Sequence, residues 1–252
     1  MILYFSGTGN SLAVARQLAE RLNEPLLPLI EAAGQDLTNE KHIGLVFPTY
    51  DFNLPPVVRT LVPQLHISPQ SYVFAVITCG GQAGNCVWAL RRLLRKQGVE
   101  LAYSHKVRVP DNSALAFGRN PNNQLGKFEH VPARMEQIVG ELQAESHVLH
   151  YSWFSGLSWL LGLPAIEKGM IRTLGPKVNP DKCIGCNTCV SVCPMENICL
   201  TDKKALIGAN CTVCLACVHS CPQQAISTNG REALKERQYR HPDIKLKDLM
   251  KR

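Results

Sequence analysis

The strongest constraint in this sequence is the crowding of its cysteines. Nine of the eleven cysteines lie between Cys183 and Cys221, and only Cys79 and Cys86 precede them. Within that stretch the spacing Cys-x2-Cys-x2-Cys-x3-Cys-Pro occurs twice, starting once at Cys183 and once at Cys211. A chain of 252 residues that is 45% hydrophobic can bury a core without disulfide staples, so these cysteines are predicted to bind metal.

The repeated spacing predicts two [4Fe–4S] clusters. Three thiolates on one tight loop can reach three irons of a cube, and the fourth cysteine of each motif then ligates the other cube. The proline after each fourth cysteine ends the turn, because proline has no N–H with which to continue it. One cluster is therefore assigned to Cys183, Cys186, Cys189 and Cys221, and the other to Cys193, Cys211, Cys214 and Cys217.

Structural zinc is the main alternative, because zinc sites also use paired Cys-x2-Cys motifs. A zinc site takes four ligands, and zinc binding would not explain why three closely spaced cysteines are followed in each motif by a fourth in a Cys-Pro pair. The Cys-x3-Cys-x2-Cys spacing of radical-SAM enzymes is absent, and Cys199, outside both motifs, is interpreted as a core or near-cluster residue. Residues 178–228 closely resemble the two-cluster bacterial ferredoxins.

The first part of the chain alternates apolar runs with helical patterns. Helices are predicted from near Ser11, from Pro55, after Asn85 and over 131–142, and residues 110–128 are predicted to form a long loop. Strand–helix alternation predicts an α/β fold with a doubly wound parallel sheet. The predicted strands are Met1–Phe5, Leu26–Ile30, Ile43–Phe47, Tyr72–Thr78 and, at the edge, Leu101–Val109.

Three loops of this predicted sheet are rich in glycine and hydroxyl side chains. The first, Phe5–Ser11, joins a strand to a helix, where free N–H groups and the helix dipole favour an anion. It lacks the lysine of a P-loop and the spacing G-x-G-x-x-G, and an ordinary strand–helix turn is the alternative. The other two are Pro48–Tyr50 and Thr78–Gln82, and in flavodoxin-like strand order all three meet at the switch point where FMN binds.

On these motifs residues 1–145 resemble a flavodoxin-like FMN domain, and the whole chain resembles the flavodoxin–ferredoxin fusion family. The resemblance implies a flavodoxin-like sheet followed by a small α+β two-cluster ferredoxin domain. It assigns the FMN phosphate to Ser6, Thr8, Gly9, Asn10 and Ser11. It places Thr49 and Tyr50 beside the flavin ring, and the backbone of Cys79, Gly80, Gly81 and Gln82 at the ring edge.

The third loop departs from the family pattern, because it lacks the aromatic residue that many flavodoxins stack on the flavin. Trp88 is close in sequence but lies on the helix predicted to follow, and its side chain is expected in the hydrophobic core. Cys79 is open to two interpretations, a small buried residue or a reactive thiol near the flavin.

The composition shift predicts the domain boundaries. The FMN domain is expected at 1–147, a helical linker at 148–178, the ferredoxin domain at 179–229 and a charged C-terminal tail at 230–252. The tail is interpreted either as solvated or as a docking segment for an acidic redox partner.

The formal net charge of +7 does not indicate nucleic-acid binding. Eight ligand thiolates around two clusters and a bound phosphate would bring the loaded protein to about +1. Neither a signal peptide nor a membrane span is recognisable, so the chain is expected in the cytoplasm with redox proteins as partners.

The favoured function is intracellular electron transfer between two [4Fe–4S] clusters and FMN, by a carrier rather than an enzyme. The first alternative is a reductase with its own acceptor, for which Asp111 is the one candidate acid or base. The second is a redox-sensing module that binds DNA through helix faces such as Arg91, Arg92 and Arg95.

Overall fold

The computed structural model describes residues 1–153 and 164–250. Its contacts divide the chain into two compact units. The first comprises residues 1–5, 10–109 and 127–163, and the second comprises residues 6–9, 110–126 and 164–252. The second unit thus takes in the short loop that follows the first strand.

The first unit is built on a parallel sheet. Its strands are β1 Ile2–Tyr4, β2 Leu26–Pro28, β3 Asp36–Leu37, β4 His42–Pro48, β5 His66–Ile67, β6 Tyr72–Cys79 and β7 Leu101–Arg108. Its helices are α1 Asn10–Leu22, α2 Leu29–Ala32, α3 Pro56–Leu61, α4 Cys86–Arg95 and α5 Val131–Gln143.

The order of the main sheet identifies the fold. Five strands pair in the order β2-β1-β4-β6-β7, all parallel, and β3 pairs separately with β5. Counted along the chain, the five strands of the main sheet run 2-1-3-4-5, which is the flavodoxin-like doubly wound order. The prediction of a parallel sheet with β7 at its edge is confirmed.

Hydrophobic periodicity explains where the helices lie. Helices α1 and α5 pack together through a core that includes Leu18, Phe74 and Met135. Helix α4 buries Val87 and Leu90 at helical spacing, as the sequence predicts. One predicted strand is shorter than expected, because the chain turns into α2 directly after Pro28.

The second unit is made of short elements around the cysteine motifs. Helices are α6 Pro164–Leu174, α7 Thr188–Ser191, α8 Ala216–Ser220 and α9 Leu246–Leu249. Strands are β8 Pro176–Val178, β9 Ile198–Thr201, β10 Lys204–Ile207, β11 Ile226–Thr228 and β12 Arg231–Glu232. They form a β9-β10 hairpin and an antiparallel sheet in the order β12-β11-β8.

Three segments differ from the sequence-based expectation. Residues 110–128 contain 3-10 turns at Asn112–Phe117 and from Pro121, the first capped by the carboxylate of Asp111. The predicted linker lies partly at 154–163, outside the described residues, and its last residues form strand β8 rather than a helix. The expected tail is anchored, since Tyr239 is 1% and Ile244 2% exposed.

Candidate functional site

The three predicted flavin loops follow β1, β4 and β6, which are neighbours in the main sheet. Because these strands are parallel, their carboxyl ends lie at one edge. The Thr49 N–H donates to the carbonyl oxygen of Thr78 over 2.9 Å, which ties the second loop to the third. The Tyr50 ring stands edge-on to Phe5, with the two centroids 6.2 Å apart. Loop residues distant in sequence are thus brought together here.

A buried hydroxyl pair connects the start of α1 to the end of β6. The Ser11 and Thr78 hydroxyl oxygens lie 2.7 Å apart, and each residue is only 1% exposed. Ser11 is one of the predicted phosphate ligands, whereas Thr78 was not assigned a role. Thr78 sits at the end of an apolar strand, and only the sheet register places it opposite Ser11.

The loop that follows β1 has the chemistry of an anion cradle. The Ser6 hydroxyl accepts a hydrogen bond from the Gly9 N–H at 3.1 Å, and Gly9 has a φ of +98°, which favours glycine. Thr8 and Asn10 are buried, and α1 begins directly at Asn10. Hydroxyls and N–H groups at the start of a helix of 13 residues are donors that suit a phosphate.

Two lysines hold the third loop. The Lys106 ammonium donates to the side-chain oxygen of Gln82 at 2.5 Å, and the Lys127 ammonium donates to the carbonyl oxygen of Gly80 at 2.7 Å. Gly80, Gly81 and Gln82 remain half-buried, so their backbone groups are accessible to a ligand. Sequence reasoning missed both lysines, because each lies more than 20 residues from its partner.

Cys79 and Cys86 are buried neutral thiols. Cys79 is 4% exposed, and burial raises the pKa of its thiol to about 11. Cys86 is fully buried, its Sγ lies 3.2 Å from the hydroxyl oxygen of Thr49, and burial raises its pKa to about 12. Of the two interpretations of Cys79, the structure therefore favours the small buried residue over the reactive thiol.

The prediction for Trp88 is wrong. Its side chain is 48% exposed, and the guanidinium of Arg92 lies 5.5 Å from the ring centroid. Helix α4 turns the neighbouring Val87 inward and Trp88 outward, since adjacent helical residues point about 100° apart.

Eight of the nine cysteines of the second unit line two cavities, each of about 340 Å³ including space open to solvent. The first cavity is lined by Cys183, Cys186, Cys189 and Cys221. The second is lined by Cys193, Cys211, Cys214 and Cys217. In each cavity three cysteines come from one motif and the fourth from the other motif.

The backbone of the two motifs repeats the same unusual conformation. Gly185 and Asn187 in the first motif have φ of +68° and +66°, and Val213 and Leu215 in the second have φ of +53° and +61°. A left-handed conformation is strained for a β-branched residue such as Val213, and such strain concentrates at functional sites. These residues curl each loop so that its three cysteines face one cavity.

Backbone amides point at several of the cysteine sulfurs. The N–H groups of Ala205, Asn197, Val213 and Ala225 donate to the Sγ atoms of Cys183, Cys193, Cys211 and Cys221 at 3.3–3.4 Å. Such bonds favour the thiolate, which is the form that binds iron.

Each cavity is lined by four cysteines, which is the number of thiolates that ligate a [4Fe–4S] cluster. Within residues 1–153 and 164–250, no group of three or more His, Cys, Asp or Glu side chains is arranged to hold one metal ion. Thr212, which lines the second cavity, is 7% exposed, and its hydroxyl has no hydrogen-bond partner in the described part of the chain. A sulfur acceptor in that cavity would satisfy this buried hydroxyl, which is otherwise costly.

The cysteines that line the cavities differ in burial. Cys186 of the first is exposed, and the neighbouring Thr188 hydroxyl lowers the pKa of its thiol. Cys214 of the second is buried, and desolvation raises its pKa to about 12. A thiolate at Cys214 therefore needs nearby positive charge, which bound iron would supply.

Comparison with known proteins supports the iron–sulfur assignment. Residues 176–198 match the family model described as a 4Fe-4S binding domain. A stretch of 47 residues, 19% of this chain, is 49% identical to a ferredoxin:CoB-CoM heterodisulfide reductase polypeptide of Methanosarcina mazei. The match spans only 6% of that relative's length.

Solved structures similar to the chain cover its flavodoxin-like part. The two-electron reduced flavodoxin of Megasphaera elsdenii is 20% identical, over 44% of this chain and 88% of the flavodoxin, with a TM-score of 0.36. An archaeal flavodoxin is 16% identical over 44% of this chain and 83% of its own, with a TM-score of 0.36. The FMN-dependent NADH-azoreductase of Bacillus anthracis is 11% identical over 56% of this chain and 97% of the azoreductase, with a TM-score of 0.40. The fold itself is assigned from the strand order.

No helix among the described residues is both long and apolar enough to cross a membrane. A doubly wound sheet in flavodoxin order is followed in the same polypeptide by a 4Fe-4S binding domain. The chain thus combines a flavodoxin-like fold with a segment that is similar to 4Fe-4S binding domains.

Proposed function

We propose that this chain relays single electrons between two [4Fe–4S] clusters and a bound FMN. The observation that carries the proposal is the pair of cavities, each lined by four cysteines drawn three-plus-one from the two motifs. Four thiolates per cavity match the ligand number of a [4Fe–4S] cluster. FMN exchanges one or two electrons and each cluster exchanges one, so the combination suits splitting or merging electron pairs.

The cysteines would act as ligands in two sets. Cys183, Cys186, Cys189 and Cys221 would hold one cluster, and Cys193, Cys211, Cys214 and Cys217 the other. The amides that donate to cysteine sulfurs would favour the reduced, more negative state of each site. Cys199 is exposed on β9 and lines neither cavity, so it is not proposed as a ligand.

The flavodoxin-like part would hold FMN through its three loops. Ser6, Thr8, Gly9, Asn10 and Ser11 would bind the phosphate, for which the start of α1 supplies N–H donors. Thr49 and Tyr50 would lie beside the ring, and the backbone of Cys79, Gly80, Gly81 and Gln82 at its edge.

Two cations would act on the flavin through the third loop. The ammonium groups of Lys106 and Lys127 each bond to this loop and bring positive charge to it. Positive charge near the ring favours the electron-rich reduced flavin.

The electron carrier is favoured over a reductase that has its own small substrate. Asp111, the one candidate acid or base, accepts hydrogen bonds from the Ser113 N–H at 2.9 Å and the Ser113 hydroxyl at 2.7 Å. Its carboxylate caps a 3-10 turn, which is a structural role.

We place the FMN domain at 1–147 and the ferredoxin domain at 179–229, and propose redox proteins as partners. We propose a reducing cytoplasmic compartment, because the eight proposed ligand cysteines must be reduced thiols to bind iron.

Anaerobic reconstitution with iron, sulfide and FMN tests this function. The chain should take up about eight irons and about one FMN, with electron paramagnetic resonance signals of two interacting reduced clusters. Cys199→Ser should retain all the iron, and Cys217→Ser should lose the second cluster. About four irons in the parent would refute the two-cluster assignment, and full iron without flavin would refute FMN binding.

A further inference from the structure

A C-terminal segment of the second unit contacts the loop proposed to bind the FMN phosphate. We call Gln238–Ile244 the strap and Ser6–Gly9 the phosphate loop. Both belong to the second unit. The strap was expected to be part of a charged tail, yet Tyr239, His241 and Ile244 are 1%, 7% and 2% exposed. Such burial shows that the strap packs on other residues.

The strap covers the phosphate loop through backbone and side chain. The His241 N–H donates to the carbonyl oxygen of Thr8 at 2.9 Å. A Cβ added to Gly9 would lie 3.0–3.1 Å from three side-chain atoms of Ile244, so this isoleucine sits directly against the glycine. The Ile244 N–H bonds to the His241 carbonyl at 3.0 Å, which holds these two contacts in one turn.

The other end of the strap is tied to the second cysteine motif. The side-chain amide of Gln238 donates to the carbonyl oxygen of Cys221 at 2.6 Å. The Tyr239 N–H donates to Nδ1 of His219, which lies between the last two cysteines of that motif and is 4% exposed. The first residues of the strap are therefore fixed to the second cysteine motif.

The phosphate loop also touches the second motif directly. A Cβ added to Gly7 would lie 2.5 Å from the carbonyl oxygen of Cys214. The same oxygen accepts a hydrogen bond from the Asn112 side chain at 3.1 Å, so it is fixed from another direction. The phosphate loop thus rests against the second motif and is covered by the strap.

We propose that the strap positions the phosphate loop, so that FMN affinity depends on the folded second cysteine motif. This inference rests on the proposed binding of FMN. A loop that contains two glycines has many conformations, and ordering it for a phosphate carries an entropic cost. Contacts with the strap and with Cys214 order the phosphate loop before FMN binds, so that less conformational entropy is lost on binding. This preorganisation strengthens binding. Because coupling is reciprocal, bound FMN must in turn stabilise the second motif.

The test measures FMN binding by fluorescence quenching on the full chain, with both clusters reconstituted anaerobically. Ile244→Ala removes the contact with Gly9 and should weaken FMN binding about tenfold or more, with the cluster absorbance unchanged. Ile244→Val keeps most of the contact and should restore affinity to within a few-fold of the parent. Leu234→Ala, in the same C-terminal region but 40% exposed, is the matched control and should leave the affinity unchanged.

A second measurement needs no substitution. An iron chelator is added to the loaded parent with and without saturating FMN, and the release of iron is followed over time. FMN should slow release from the second cluster at least threefold.

The outcomes separate the two proposals. If the loaded parent does not bind FMN, the proposed function fails. If the parent binds FMN, the positioning role of the strap is overturned by equal affinity in Ile244→Ala with intact clusters. Equal chelation rates with and without FMN overturn the coupling.

Discussion

The buried contact between Ser11 and Thr78 offers a sharp test of how the loops proposed to bind flavin are held. Thr78→Val keeps the shape of the side chain and removes its hydroxyl. The two oxygens lie 2.7 Å apart and both residues are 1% exposed, so water cannot replace the lost partner. A buried hydroxyl left without its partner costs about 1–3 kcal/mol. We therefore expect Thr78→Val to lower the free energy of unfolding of the first unit by about 2 kcal/mol.

The assay is urea unfolding followed by tryptophan fluorescence. The sequence ranges of the second unit contain no tryptophan, so the signal reports the first unit. Flavin is left out, because a bound ligand would add its own stabilisation. With a slope of about 2 kcal/mol per molar urea, the midpoint should fall by about 1 M.

A double-mutant cycle decides whether the pair itself is responsible. Ser11→Ala should also cost about 2 kcal/mol, because it leaves the Thr78 hydroxyl unsatisfied. The double variant should cost clearly less than the sum of the two, since it removes both groups at once. Strict additivity, or a loss below about 0.5 kcal/mol in Thr78→Val, would refute the reasoning.

Three further outcomes follow from burial and charge. In the cluster-loaded chain at pH 8, iodoacetamide should modify exposed Cys199 first and leave Cys79 and Cys86 intact. The reason is that burial raises the pKa values of Cys79 and Cys86 to about 11 and about 12. Mass spectrometry of peptides measures which cysteines are modified. Burial lowers the pKa of His105 in the folded chain. As the pH falls below about 6.5, His105 is therefore protonated more readily in the unfolded chain than in the folded one, which favours unfolding. The first unit should therefore be less stable to urea at pH 5.5 than at pH 7.5, and a His105→Gln variant that kept the full pH dependence would contradict this. Lys106→Gln should make the two-electron reduction potential of the flavin more negative by about 30 mV, which corresponds to about tenfold weaker binding of reduced flavin relative to oxidised flavin. Lys106→Arg keeps the charge and should leave the potential unchanged. Spectroelectrochemistry measures the potential of both variants.

Local spacing accounts for what could be predicted in the cysteine region. The three-residue steps of Cys183, Cys186 and Cys189 curl one loop around one cavity, and the repeat at Cys211 does the same. The sequence also indicated that the fourth cysteine belongs to the opposite set, and Cys221 does line the cavity of the first motif. The left-handed Val213 that makes the curl possible could not be predicted, because its side chain disfavours that conformation.

In the first unit, the alternation of apolar strands and amphipathic helices was sufficient to predict the parallel sheet. The β6 strand and the buried stripe of α4 follow from apolar periodicity, which is readable in short windows. The exposure of Trp88 and the turn into α2 after Pro28 were not predicted, because both depend on how a helix is rotated or begun against its neighbours.

By itself, the sequence determined the number and grouping of the cysteine motifs, the order of the strands along the chain and the positions of the three loops predicted to bind flavin. These features depend on residues close together in sequence, whose spacing limits what the backbone can do. Tertiary structure alone decided the partners of those loops: Thr78 for Ser11, Lys106 for Gln82, and Ile244 for Gly9. Each of these contacts joins residues at least 24 positions apart, so it exists only once sheet register and packing bring the two segments together.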